Sequence, residues 1–439
     1  MRALLQNHIE NHIPFLKQKK LLLAVSGGLD SIVLLHLMQQ LNYEIAIAHC
    51  NFQLRGVESF GDQKFIQEYA AANAIPLFVT QFDTEAFAKD YKLSTQVAAR
   101  ELRYNWFYEL LDTENYDYIL TAHHADDNLE TFLINLTRGT GLDGLTGIPE
   151  QNDKIVRPLL FASRLEIENY AKQQSLQWRE DSSNASDKYL RNKIRHHLIP
   201  ILKELNPNFI TSFLKTESYL QESLAMIEDA TIMVYQQVAR EEGDHIYFDL
   251  NQLLKLPNYQ SYLYQWLKEF GFTAWKDIYD LVNSQSGKQV FATDFRLLKD
   301  RDSLILSPTK NRDSQEVVFI EEGQTEVKIP LNLNLCKVAD ISVGSNRTIF
   351  VDADKLVYPL VLRRWDKGDV FQPFGMDGKS KKVSKLFKDE KLSLLDKENT
   401  WLLCSNSNNE IVWVVGIRAD HRFRTENTTK NILRIDFRE

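Results

Sequence analysis

The sequence predicts an α/β protein: an N-terminal domain on a parallel sheet, a helical middle domain and a small α+β C-terminal domain. The expected boundaries are 1–205, 206–312 and 313–439. Three observations carry this. Apolar runs of strand length alternate with helical patterns over units of roughly 30 residues, the size of a βαβ crossover. The first run, Leu21–Val25, is apolar at every position, as for a strand buried on both faces of a parallel sheet. Polar clusters at 26–31, 49–55 and 123–131 each begin where an apolar strand ends, and ligands of such sheets sit at the carboxyl ends of the strands.

Residues 1–17 have the spacing of an amphipathic helix leading into the first strand. That strand runs into Ser26-Gly27-Gly28-Leu29-Asp30-Ser31 and then into an apolar helix that ends near Leu41. Glu44–Cys50 is a second strand, closing on His49-Cys50-Asn51-Phe52-Gln53-Leu54-Arg55-Gly56. A helix over 59–73, a third strand at Leu77–Gln81 and a helix over 94–111 carrying Arg100 and Arg103 follow. Tyr116–Ala122 is a fourth strand, leading to His123-His124-Ala125-Asp126-Asp127-Asn128-Leu129-Glu130-Thr131. The glycine-dense stretch Gly139–Gly147 ends that cluster's helix in a loop able to move over a site.

Residues 153–205 extend the same domain. They include Trp178–Asn184 and a basic run, Lys188–Lys203, with five Lys/Arg and no acid. Asn206-Pro207-Asn208 marks a boundary, and 209–300 is mostly helical by pattern. Lys310–Gln315 is a polar linker, and 316–360 alternates like short strands. Val361–Lys391 is a second basic segment, with nine Lys/Arg against five Asp/Glu, and Val412–Ile417 is a further strand.

Composition excludes several classes. The net charge of −8 argues against a generic nucleic-acid binder, so any polyanion must be gripped by local basic patches. Cys50, Cys336 and Cys404 are far apart with no Cys-x-x-Cys pair, which argues against a disulfide framework and against a zinc or iron–sulfur site. A reducing, cytoplasmic location is expected. Residues 1–20 lack the apolar core of a signal peptide, and no apolar run approaches a membrane span.

The turn after the first strand carries the chemistry. Gly27 and Gly28 permit close backbone approach, and the turn opens onto a helix N-terminus whose N–H groups attract an anion. Ser26 and Ser31 add hydroxyls, and Asp30 is a carboxylate suited to Mg²⁺ beside phosphates. The turn lacks the Gly-Lys-Ser/Thr ending of a Walker loop and the glycine spacing of a dinucleotide fingerprint. Asp127 and Glu130, three apart, share a helix face if the helix starts near Ala125. Two acids in a first turn also suit the helix dipole with no function attached, which leaves the two histidines unexplained.

Ser-Gly-Gly-Leu-Asp-Ser resembles the pyrophosphatase loop of the PP-loop ATP pyrophosphatases (adenine nucleotide alpha hydrolase-like), which cleave ATP between the α and β phosphates. His-x-Asn-x-x-Leu-Arg at 49–55, His-His-x-Asp-Asp-x-x-Glu-Thr at 123–131, Arg-Pro-Leu-Leu at 157–160 and Arg-Asn-x-Ile-Arg-His at 191–196 follow in order. The tail from Arg363-Arg364-Trp365 to Asp420 completes a pattern similar to the tRNA(Ile)-lysidine synthases, matched over nearly the whole chain and most weakly over 209–315.

The resemblance implies adenylation of C2 of the wobble cytidine in tRNA(Ile) with a CAU anticodon, followed by displacement of AMP by L-lysine. ATP and Mg²⁺ are the implied cofactors. The implied ATP site is Ser26, Gly27, Gly28, Leu29, Asp30 and Ser31 with His49 and His123, and Asp30 holds the metal. Asp127 and Glu130 are the lysine-site candidates, with the division of roles between them open. Arg103 and Arg191 are candidates for stabilising phosphate charge. Arg195, Arg363, Arg364, Lys381, Lys382 and Lys385 are candidates for gripping tRNA. Lys381–Lys388 is expected to be helical, with Leu386 and Phe387 packed inward. A homodimer is an open expectation.

Two positions depart from the family pattern: Phe52 where a second histidine is common, and Asn128 where glutamine is common. The alternatives are a PP-loop tRNA thiolation enzyme, a PP-loop amidotransferase, and a non-catalytic tRNA-binding relative.

Overall fold

The computed structural model describes residues 1–180, 190–309, 317–341, 344–406 and 409–438. The Asp181–Asn184 part of the polar stretch, Lys188 at the head of the basic run, and the linker Lys310–Gln315 lie outside them. The chain divides into two compact units, Met1–Asp229 and Ala230–Glu439. Among the described residues no helix is long and apolar enough to cross a membrane.

In the first unit α1 (Arg2–His12) is followed by a 3₁₀ turn, Pro14–Leu16, so the expected 17-residue helix stops where proline cannot continue it. Then come β1 (Lys20–Ala24), α2 (Leu29–Gln40), β2 (Glu44–Asn51), α3 (Val57–Ala72), β3 (Leu77–Gln81), α4 (Thr84–Asp90), α5 (Thr95–Thr113), β4 (Tyr118–Leu120) and α6 (Ala125–Arg138). The unit continues with α7 (Leu142–Leu145), β5 (Gln151–Asn152), β6 (Ile155–Val156), α8 (Arg164–Gln173), α9 (Leu190–Lys193), α10 (Ile199–Leu205) and the larger part of α11 (Phe209–Val238), whose last residues belong to the second unit. The sheet order is β3-β2-β1-β4-β6-β5, parallel except for the β5–β6 edge.

β1 is buried on both faces, as its unbroken apolar run requires. Leu21 and Leu23 pack with α1, α2 and α8 through residues such as Leu5, Leu35 and Ile167. Leu22 packs on the opposite face with Phe107, Leu110 and Ile119. Each leucine buried in this way contributes about 2 kcal/mol relative to an exposed one. The chain leaves β1 toward β2 and β3 on one side and returns to β4 on the other, so the strand order reverses between β1 and β4. The crevice outside the carboxyl ends of that pair is where a doubly wound sheet binds ligands.

The second unit contains β7 (Ala239–Glu242), β8 (His245–Asp249), α12 (Leu250–Leu253), α13 (Tyr259–Leu267), α14 (Trp275–Leu281), β9 (Gln289–Phe291), β10 (Phe295–Asp300) and β11 (Ser303–Pro308). Residues 239–308, expected to be mostly helical, thus add an antiparallel sheet of order β7-β8-β11-β10-β9 to the helices. Phe248, Leu263, Trp266, Leu297 and Leu304 form its core with those helices. The β10–β11 hairpin turns at Arg301-Asp302, which carries none of the Asn-Gly or Asp-Gly chemistry that marks hairpins in sequence. Beyond 317 the described residues form antiparallel sheets of five and four strands around Trp413, Leu335 and Leu362, and a two-stranded one pairing Val370–Phe371 with Lys381–Lys382.

Candidate active site

The phosphate loop is shaped by its glycines and serines. Gly27 sits at φ +92, a conformation a side-chain-bearing residue rarely adopts, and Gly28 is the N-cap of α2. Ser26 Oγ accepts from the Gly28 N–H at 3.3 Å and lies 3.3 Å from Ser31 Oγ, which donates to the Gly28 carbonyl at 2.9 Å. His49 is buried and its Nδ1 meets the Val25 carbonyl at 2.8 Å, so Nδ1 carries the proton. Burial lowers its pKa, and the ring braces the loop's backbone as a neutral imidazole.

A cavity of about 370 Å³ opens on this loop, lined by Ser26, Gly28, Asp30, Arg55, Arg164 and Arg179 among others. Arg55 Nη2 donates to Asp62 Oδ2 at 2.8 Å and Arg179 Nε to Asp62 Oδ1 at 2.5 Å. The Arg179 backbone N–H also donates to the Gly27 carbonyl at 2.9 Å, tying the 174–180 segment to the loop. Arg164 Nη1 is ion-paired with Asp30 Oδ1. Asp30 and the two serine hydroxyls offer hard oxygen donors, which suit Mg²⁺ shared with phosphates. Among the described residues no three His, Cys, Asp or Glu gather as a protein-only metal cage.

The acid helix begins where expected, at Ala125. His124 is its N-cap: His124 Nδ1 accepts from the Asp127 N–H at 3.3 Å and Asp127 Oδ2 accepts from the His124 N–H at 3.2 Å, a reciprocal capping box. Asp126 is structural, holding Lys203 at 2.5 Å and the Arg164 backbone N–H at 2.7 Å. Asp127 and Glu130 share a face and one partner. Arg195, on a π-helical turn at Ile194–Leu198, donates to Glu130 at 2.5 and 3.0 Å and to Asp127 at 3.2 Å. Arg191 Nε lies 3.5 Å from Glu130, and its Nη2 donates to Thr131 at 2.9 Å. His124 Nε2 stands 3.4 Å from Asp127 and 3.7 Å from Asp30, joining the acid face to the phosphate loop.

The two carboxylates are driven in opposite directions. Burial opposes ionisation of Asp127, but the His124 ring and backbone N–H and the Arg195 guanidinium outweigh it and hold the carboxyl below its usual range. At Glu130, 1% exposed, burial exceeds the pull of Arg195 and raises the pKa. Burial pushes His123 down to about 4, and its Nδ1 lies 3.0 Å from Thr121 Oγ1.

Other candidate residues lie elsewhere or are engaged. Arg103 lies over the Phe52 ring at 5.1 Å, so the residue found in place of the family's second histidine holds this guanidinium. In the second unit, Arg363 is paired with Asp369 at 2.7 Å and Arg364 lies over Trp401 at 4.1 Å. Lys381 is paired with Asp389 at 2.6 Å, while Lys382, Lys385 and Lys388 are exposed. Lys381–Lys382 is a short strand rather than the start of a helix. The helix is Val383–Asp389, with Leu386 and Phe387 buried as expected. Arg164 and Asp62 are site residues that the sequence motifs do not point to, while Arg179 and Lys203 fall in stretches noted only for polarity and basic charge. The local signal at Arg164 is a Ser163–Glu166 capping box, which says nothing of a partner 134 positions away.

The glycine loop is pinned at one end. Asn128 Nδ2 donates to both Glu217 oxygens at 2.6 and 2.8 Å, and Asn128 Oδ1 accepts from the Ile148 N–H at 2.6 Å. Gly147, at φ +76, leaves the room this requires: a Cβ there would sit 1.8 Å from Glu217 Oε1.

A PP-loop domain model matches residues 1–202, a TilS substrate binding domain model residues 241–309 and a TilS substrate C-terminal domain model residues 360–437. The chain is 39% identical over 438 residues to a tRNA(Ile)-lysidine synthase of Parabacteroides distasonis, covering 98% of each chain. It is 37% identical to the corresponding protein of Bacteroides thetaiotaomicron, covering 97% of each. Among solved structures, a U34-tRNA thiolase from Methanococcus maripaludis superposes at a TM-score of 0.41 with 17% identity over 50% of this chain and 77% of that one, too slight a likeness to build on.

Burial pushes Glu217 up to about 7, opposed in part by the Asn128 amide. A carboxyl whose folded pKa exceeds its unfolded value near 4.5 stabilises fully below pH 4.5, and that contribution is lost as pH rises through 7. Glu217→Gln should therefore remove on the order of 2 kcal/mol of pH dependence between pH 5 and 8. Urea unfolding of both proteins at the two pH values checks this, and an unchanged pH dependence refutes it.

Proposed function

The chain belongs to the tRNA(Ile)-lysidine synthase family, and from that membership we propose that it joins L-lysine to C2 of the wobble cytidine, position 34, in tRNA(Ile) bearing a CAU anticodon. The protein is an ATP-dependent ligase that forms a carbon–nitrogen bond. The observation that carries the finer reading is the juxtaposition, through His124, of a phosphate-binding loop and two carboxylates of opposed proton affinity.

The C2 oxygen of cytosine is a poor leaving group. Its attack on the α-phosphorus of ATP breaks the bond to the β-phosphate and releases pyrophosphate. The lysine ε-amine then adds at C2, the C2–O bond breaks and AMP departs with the oxygen. Ser26, Ser31 and the Gly28 N–H cradle the phosphates. Asp30 holds Mg²⁺, which neutralises phosphate charge when bound. Asp127, kept ionised, receives the incoming ε-ammonium. Glu130, with its raised proton affinity, accepts the proton that the amine must lose before it attacks. Arg191 and Arg103 are the guanidiniums proposed to meet phosphate charge. The product pairs with A, so the anticodon reads AUA in place of AUG.

Purified protein, ATP, labelled lysine and both CAU-bearing tRNAs test the reading. Lysine should enter tRNA(Ile) and not tRNA(Met), with one AMP and one pyrophosphate released per lysine. Sulfur transfer, or no tRNA-dependent pyrophosphate release, would overturn it.

Asp30→Asn is expected to cut pyrophosphate release by at least about 100-fold with tRNA affinity nearly unchanged. Asp127→Asn and Glu130→Gln should each slow lysine transfer by at least about tenfold and leave adenylation within about threefold. If adenylation falls in parallel with lysine transfer, the lysine-site assignment fails.

The second unit is proposed to grip tRNA phosphates through Lys382 and Lys385. Arg363, Arg364 and Lys381 have intramolecular partners and are secondary. Replacing both lysines by Ala should weaken tRNA binding and flatten the salt slope by about one unit for each phosphate no longer neutralised, with the KM for ATP unmoved. A constant slope would make these lysines merely solvated.

A further inference from the structure

We propose that Arg164 is a pyrophosphate-binding residue of the ATP site, held on Asp30 in the nucleotide-free protein and transferred to the phosphates when they enter. The proposal rests on the ATP-consuming reading above and assigns a group that no sequence motif suggested.

Asp30 is the one carboxylate of the phosphate loop, and it faces the cavity beside Ser26 and Gly28. Asp62 and Glu180 also line the cavity, and a carboxylate at the point of phosphate entry repels its ligand unless a cation covers it. The Arg164 guanidinium provides that cover, with Nη1 on Asp30 Oδ1. The two other guanidiniums of the cavity are committed elsewhere: Arg55 and Arg179 take one oxygen each of Asp62, itself 8% exposed. Arg164 alone among the three is paired with a residue that must itself turn to the incoming ligand.

The mounting of Arg164 suits a transfer. Its backbone is fixed, because it is the first residue of α8, its N–H donates to buried Asp126 at 2.7 Å, and Ser163 and Glu166 close a capping box around it. α8 is in turn anchored on α2, where Tyr170 Oη meets His36 Nδ1 at 3.0 Å. The side chain beyond that anchor is 43% exposed. A planar fork of five N–H donors on a fixed base can exchange a single carboxylate oxygen for the more highly charged phosphate oxygens, with which it forms paired, charge-assisted bonds. Those bonds strengthen as the α–β bond breaks and charge accumulates on the leaving pyrophosphate. Asp30, relieved of its partner, is then available to the cation.

Full-length protein and the variants Arg164→Ala and Arg164→Lys test this. Calorimetry measures ATP, inorganic pyrophosphate and AMP, and electron paramagnetic resonance measures Mn²⁺ alone. Arg164→Ala should weaken ATP and pyrophosphate by at least about tenfold while AMP stays within about twofold. Mn²⁺ without nucleotide should bind at least about threefold tighter, because Asp30 is uncovered. Arg164→Lys should recover part of the pyrophosphate affinity, since it restores charge without the fork. Unchanged ATP affinity in Arg164→Ala, or an equal loss of AMP, overturns the phosphate role. Unchanged Mn²⁺ affinity overturns the cover on Asp30. Failure of the wild-type protein to bind ATP, AMP or pyrophosphate would instead strike at the ATP reading itself.

Discussion

The reversal of strand order between β1 and β4 is the constraint on which the site depends. Two neighbouring parallel strands whose chains continue in opposite directions leave a crevice at their carboxyl ends, and the loops that follow them must border it. The loop after β1 supplies the phosphate cup, and the loop after β4 supplies His124 and the start of α6. β2, on the far side of β1, contributes His49 to brace the cup, and the loop after it brings Arg55 to line the cavity. The buried sheet core makes these positions rigid: Leu21, Leu22 and Leu23 are all at most 1% exposed, so β1 cannot shift without opening both faces of the domain.

Within the crevice, charge alternation governs the arrangement. Arg164, Asp30, His124, Asp127, Arg195, Glu130 and Arg191 form a continuous chain in which nearly every ionic group touches one of opposite sign. Partly buried charges persist only when paired in this way. The pairing is also what separates the two carboxylates: Asp127 has a cap N–H and an imidazole besides Arg195, whereas the buried Glu130 is met by guanidiniums. Such a set is costly to stability and is of the kind found where chemistry requires perturbed proton affinities.

Asn128 links this helix to its surroundings. It lies between Asp127 and Glu130 in sequence but points to the other side, where Glu217 and the Ile148 N–H hold its amide. The glycine at 147 is therefore required by sterics as well as by φ, and the end of the glycine loop is tied to the helix that carries the acids.

The sequence by itself determined the fold class of the first unit and the membership of its three polar clusters. Both are local properties: unbroken apolar runs specify doubly buried strands, glycine and serine specify the cup, and a three-residue spacing puts Asp127 and Glu130 on one helix face. The Gly27 conformation and the inward packing of Leu386 and Phe387 follow from the same kind of short-range rule. The tertiary structure decided the partners. That Arg195 serves the acids, that Arg363 belongs to Asp369, that Arg164 covers Asp30 and that the segment beyond α11 contains a sheet all depend on how the chain packs. Ion pairs between distant positions leave no periodicity to detect, and a hairpin turned on Arg301-Asp302 has no marker residues. Only packing, by bringing those groups within a few ångströms in a region poor in water, gives each charge its partners.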